Sequence, residues 1–203
     1  MSNLLAPLIN ASGTLDAYSR VLDVIQGNVA NASPAADSLP ALLVYDAELT
    51  LISVRGERRA AYRHFHTGYK QMAITADELI CDISLPRQFS GYVSRARKVG
   101  ARNAQAISKV CLAALGKISN GTIRDMRLAV GSVAPVPQRL AETEQLLTGN
   151  KVDQSIIDAA RKSVTKEIRP IDDIRSTARY RAAVAGNLVA EFLEKLAASE
   201  MNA

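Results

Sequence analysis

The chain has 203 residues, 48% of them apolar and 22% charged, and a net charge of +5. That balance supports one large or two small domains with a packed core and argues against disorder or a membrane-spanning run. Scattered cations with only 4% aromatic residues argue against a nucleic-acid surface built on base stacking, and favour a basic face that meets acidic partner subunits or anionic ligands.

Taken in chain order, the first residues read as helix or irregular, with a short stripe of Leu4, Leu5, Leu8 and Ile9 that Gly13 interrupts. The start lacks the basic-then-apolar order of a secretory leader. Residues 27–38, GNVANASPAADS, have the composition of a structured loop. Pro40 then opens a short apolar helix, Ala41 to Tyr45. Glu48–Arg55 is β-branched and apolar, and Gly56 turns it into a returning strand. Phe65–Gln71 reads as a loop around Gly68. In the next strand Leu79, Cys81, Ile83 and Leu85 alternate onto one face until Pro86 stops it.

Arg87–Ser90 is the expected domain boundary. Beyond it Tyr92–Val99 reads as a strand, and two alternating runs flank Asn120-Gly121, the strongest short hairpin signal. A helix is predicted from Gln138 to Leu147, capped by Gly149. Asp153 caps another that carries Ile156, Ile157, Ala160 and Val164. The last, from about Ser176, repeats Val184, Leu188, Phe192 and Leu196 every four residues. Strands followed by helices indicate an α+β fold. Cys81 and Cys111 lack metal or iron–sulfur spacing; two buried thiols suit a reducing cytoplasm.

The chemistry-bearing candidates lie mainly in the first loop. Gly27 and Asn28 offer close backbone approach and a side-chain amide, while Ser33 and Asp37 offer hydroxyl-binding groups. On composition alone the same residues make a tight turn that satisfies its own backbone. His64 and His66 flank Phe65 without a carboxylate or cysteine nearby, which is a poor metal site, and they read as surface residues.

Several segments together point further. GNVANASPAADSLPALLVYDAELTL, FHTGYKQMAITADELICDISLP, RKVGARNAQAISKVCLAAL with RLAVGSVAPVPQR, and PIDDIRSTARYRAAVAGNLVAEFL resemble, in order, the FAD-binding medium subunit of molybdenum hydroxylases, the xanthine and carbon monoxide dehydrogenase flavoproteins. The likeness runs from about Asp23 to about Leu196. It implies an α+β chain in which residues 1–87 form the second subdomain of the FAD-binding domain. Residues 88–203 would form the C-terminal domain, an antiparallel sheet packed on helices. The family's first FAD segment, roughly a hundred residues with a glycine-rich diphosphate loop, has no counterpart before Asp23, so this chain is expected to supply one wall of the site.

The resemblance places Gly27, Asn28, Ser33 and Asp37 along the flavin nucleotide, Ile80 over the isoalloxazine ring, and Lys98 near its pyrimidine edge. A cation at that edge would stabilise charge that builds there on reduction. The family carries a small residue and glycine before the Gly-Asn pair; here Ile25 and Gln26 stand there, and Gln26 is expected to crowd the nucleotide. Tyr69 and Lys70 are read as cover for a sheet edge, and Asp172, Asp173, Arg175 and Arg179 as caps and docking groups of the last helix. The implied role is electron relay through FAD to NAD or another acceptor. Molybdopterin and 2Fe-2S clusters would lie on partner subunits, in the cytoplasm, with homodimerisation open. The alternative is a non-catalytic docking module that has lost FAD.

Overall fold

The computed structural model describes residues 25–102 and 106–201; the stripe read at Leu4–Ile9 lies outside them. Residues 25–30 form helix α1, so Gly27 and Asn28 are helical rather than part of a loop. The Asn31 N–H donates to Gly27 O at 2.9 Å, and a Cβ on Gly27 would meet nothing within 4 Å. Turns then lead to α2 (Leu39–Val44), whose six residues are all buried, with Pro40 in the first turn as predicted.

β1 (Glu48–Ser53) and β2 (Gly56–Ala61) form the expected hairpin, and Gly56 takes φ +126° where the chain reverses. A 3-10 turn at Tyr62–His64 follows. β3 (His66–Gly68) and β4 (Gln71–Met72) make a small ladder where a loop was predicted. β5 (Leu79–Ser84) returns along β1, giving an antiparallel sheet in the order β2-β1-β5. The predicted alternation fails in β5. Thr50 pairs with Asp82 but Leu51 pairs with Ile80, so Cys81 is a bulge residue. The bulge turns Leu79 and Cys81 outward and leaves Ile80, Ile83 and Leu85 packed on the core. Cys81 is therefore exposed, contrary to the expectation of two buried thiols.

The second sheet is antiparallel in the order β6 (Val93–Val99), β7 (Val110–Ser119), β8 (Thr122–Gly131), β9 (Gln138–Arg139). The Asn120-Gly121 turn joins β7 to β8 with φ of +54° and +71°, as a tight two-residue hairpin requires. Gln138 and Arg139 pair with β8, so the next helix, α3 (Ala141–Leu147), starts later than predicted. α4 (Gln154–Glu167) is capped by Asp153, whose carboxylate accepts from Ile156 N at 2.9 Å. α5 (Ala178–Met201) is the last helix.

β7 is buried on both faces. Val110, Leu112 and Ala114 join the core made with α3, α4 and α5; Ala113 and Leu115 join the core made with α1, α2 and β1. A charged clamp adds to the second contact. Asp46 takes Arg127 and Arg139, while Arg127 Nε donates to Val44 O at 2.7 Å and Arg139 Nη1 to Leu43 O at 3.1 Å. The Arg127 bond satisfies the Val44 carbonyl, and Leu43 O accepts from both Arg139 and the Asp46 N–H, the latter at 3.2 Å. Leu115→Ala is expected to cost about 2–5 kcal/mol and to move the unfolding of the whole chain as one transition. Urea unfolding followed by circular dichroism checks this; a separate early transition would contradict it.

Candidate functional site

A cavity of about 490 Å³ opens where the 31–38 segment crosses the ends of β6 and β8. That lies within the roughly 300–1,000 Å³ of small-molecule pockets. Asn28, Ser33, Asp37 and Lys98 all line it, with Tyr69, Ile107 and Arg175 at its margin. Gly27 and Ile80 do not line it. Gly27 sits within α1, and Ile80 packs on the N-terminal core opposite Leu51. Gln26 reaches Cys81 O at 3.4 Å and also lies outside the cavity wall, so the structure does not show it crowding a nucleotide there.

Strand alternation sets Lys98. Arg95 and Arg97 on β6 face α5, where Glu191 takes Arg95 at 2.9 Å and Arg97 at 3.7 Å. Lys98 therefore emerges on the opposite face, where its ammonium meets one oxygen of Asp37. The Ser108 hydroxyl donates to the other. Asp37 was expected to bind ligand hydroxyls; in the structure both its oxygens are engaged within the chain. Asn28 Nδ2 donates to Ser38 Oγ at 2.9 Å, which fixes its amide along the wall.

Residues 95–196 match the family of the CO dehydrogenase flavoprotein C-terminal domain, and residues 20–88 match the FAD binding domain in molybdopterin dehydrogenase. The chain belongs to the flavoprotein-subunit family of molybdenum hydroxylases. It is 32% identical over 156 residues to the xanthine dehydrogenase FAD-binding subunit of Escherichia coli O157:H7, covering 76% of this chain and 53% of that one. It is 29% identical over 183 residues to the glyceraldehyde dehydrogenase medium chain of Sulfolobus acidocaldarius, covering 90% and 64%. Reconstituted CO dehydrogenase from Oligotropha carboxidovorans superposes with a TM-score of 0.80 at 25% identity, covering 95% of this chain and 63% of that one. The chain thus spans between half and two thirds of the length of these relatives.

Within this flavoprotein fold, the groups behind the cavity lie inside the segments that carry the resemblance, but none was singled out in the sequence as a site residue. Ser108 is fully buried, and its carbonyl accepts from Ser132 Oγ at 3.1 Å. Ser132 holds φ +67°, and its N–H donates to Pro34 O at 2.8 Å. Arg181, 3% exposed, donates to Ser132 O at 2.8 Å, Lys109 O at 3.2 Å and Asp173 Oδ1 at 2.6 Å. A buried guanidinium is tolerated only when so paired. Burial works against ionisation of Asp173. The N–H groups of Arg175 and Ser176 and the Arg181 guanidinium outweigh it and hold the carboxyl below its usual range. Asp173 and Asp172, which accepts from Ala178 N, therefore shape the approach to α5 as predicted, while Arg175 turns to the cavity.

Gly131 is required for close approach: a Cβ there would lie 2.6 Å from Cys111 Sγ and 3.3 Å from Pro34 O. Burial pushes the Cys111 thiol up to about 12, and Asp37 adds to the effect, so it stays protonated behind the site. Tyr69, read as cover for a sheet edge, is 62% exposed at the cavity margin, and Lys70 stands over its ring at 5.8 Å. Arg179 is exposed. Among the described residues no group of three or more His, Cys, Asp or Glu is placed to hold a metal, and no helix is long and apolar enough to cross a membrane.

His66 is not a surface residue. It is half-buried, with Nε2 2.9 Å from Val29 O and Nδ1 3.3 Å from Tyr62 Oη, which fixes the neutral ring with Nε2–H donating. Burial lowers its pKa below the ordinary imidazole value, and the bond to Val29 only partly offsets that. The unfolded chain then takes up the proton first as pH falls. This contribution to stability is whole above about pH 6.5 and is lost as pH drops through that value towards the folded pKa. Thermal midpoints measured across this range should fall on the acid side, and fall less in His66→Gln. An equal acid-side fall in both proteins would contradict the assignment.

Proposed function

We propose that this chain is the FAD-binding component of a molybdenum hydroxylase of the xanthine dehydrogenase type, an oxidoreductase subunit of the cytoplasm. The observation that carries the reading is the convergence of Asn28, Ser33, Asp37 and Lys98 on one cavity, although they come from α1, the 31–38 turns and β6. The donor set fits the group. It offers a fixed amide, a hydroxyl and an ammonium, while the one carboxylate in the wall is already engaged by Lys98 and Ser108. A flavin ring edge that gains negative charge on reduction suits such a wall.

Bound FAD supplies reversible redox chemistry that no side chain here offers. Lys98 presents positive charge to the cavity, and Asp37 keeps that charge in place. Asn28 and Ser33 present polar atoms along the 28–38 wall. Tyr69 and Arg175 also line the cavity. Residues 1–87 form the flavin-facing subdomain, and residues 88–203 form the C-terminal domain that supplies Lys98. In the assembly, the chain holds FAD on a path from a molybdopterin-binding subunit through a 2Fe-2S subunit to NAD or another acceptor.

Co-expression with such partner subunits should give a yellow preparation with flavin absorbance. A colourless complex that ignores added FAD would overturn the reading and leave a docking module. Lys98→Met should weaken FAD binding about tenfold or more, the size of a lost charge-assisted hydrogen bond, in a fluorescence titration. Unchanged affinity would remove Lys98 from the site.

A further inference from the structure

Lys98 is a long, flexible side chain that is 39% exposed, yet its ammonium is fixed by a carboxylate with no freedom to turn. Asp37 is pinned from the far side. Its second oxygen accepts from a serine hydroxyl with no exposed surface, on a backbone tied down on three sides. Lys109 N donates to Val99 O at 2.8 Å, Ser132 Oγ donates to Ser108 O, and Arg181 donates to Lys109 O. The same Arg181 binds Asp173, two residues before the cavity-lining Arg175. One polar network therefore sets both cations of the cavity.

We propose that Ser108 is a positioning residue for Lys98, fixing through Asp37 where the ammonium stands at the cavity wall; its role toward FAD rests on the reading of the cavity given above. The physical argument is directional. Without the Ser108 hydroxyl, one carboxylate oxygen loses its donor and Asp37 is free to rotate. Lys98 then loses its fixed partner and spends less time paired at the wall, and the unneutralised oxygen makes the wall more negative. Both effects disfavour added negative charge in the cavity.

Amine-reactive labelling of the purified chain, read residue by residue by mass spectrometry, tests the positioning without any cofactor. Ser108→Ala should raise Lys98 labelling several-fold, and Asp37→Asn at least as far. Ser108→Thr, which keeps the hydroxyl, should stay near wild type. Wild-type labelling in Ser108→Ala beside raised labelling in Asp37→Asn overturns the proposal, because Asp37 then holds Lys98 unaided. In the FAD-loaded protein, Ser108→Ala should make the flavin reduction potential more negative while Ser108→Thr leaves it unchanged. A serine that served stability alone would lower the melting temperature without moving the potential, and that result also overturns the proposal. A chain that takes up no FAD fails the cavity reading, and labelling still decides the role of Ser108.

Discussion

β7 carries apolar residues on both faces, and the rest of the structure follows from that. A strand of this kind cannot leave either side in water, since each exposed aliphatic side chain forgoes about 1.5–3 kcal/mol of burial. Helices α3, α4 and α5 cover one face, and α1, α2 and the first sheet cover the other. Gly116 lets Phe192 and Leu196 of α5 approach the strand, and Gly131 lets Pro34 approach β8. The second approach brings the 31–38 turns across the sheet ends and so creates the cavity.

Electrostatics then divides along the same geometry. Cations on β6 alternate between the two faces: Arg95 and Arg97 are spent on Glu191 of α5, and Lys98 alone is delivered to the cavity side. At the other end of the interface, Asp46 gathers Arg127 and Arg139, and Glu144 takes Arg139 at 2.7 Å while accepting from Leu128 N at 2.6 Å. These ions are partly buried and bonded at several atoms, so they fix orientation as well as add attraction. These contacts tie the N-terminal lobe to the sheet beside the cavity.

Much of this was legible in the residues. The Asn120-Gly121 turn, the Asp153 cap, Pro40 and the four-residue stripe of α5 all follow local rules, and each element lies where those rules put it. The errors arose where tertiary structure overrode a local pattern. The bulge at Cys81 cannot be read from an alternating run, because it depends on register against β1. Gln138 and Arg139 have helical propensity but are claimed by β8. His66 looked solvated until the carbonyl of Val29 came to meet it. Of the candidate site, Asn28, Ser33, Asp37 and Lys98 come together on one cavity, whereas Gly27 and Ile80 do not line it. Ser108, Ser132 and Arg181 lie inside the segments that carry the resemblance, but their roles were not legible, since these are defined by partners far away in the chain.

We propose above that the cavity beside the Asp37–Lys98 pair is a wall of a flavin site. This is tested by an experimental structure of the chain with FAD in the presence of a molybdopterin-binding and an iron–sulfur subunit. Flavin density is expected against Asn28, Ser33 and Lys98, with the Asp37 and Ser108 contacts intact. Flavin bound elsewhere, with this cavity filled by protein side chains, would contradict it.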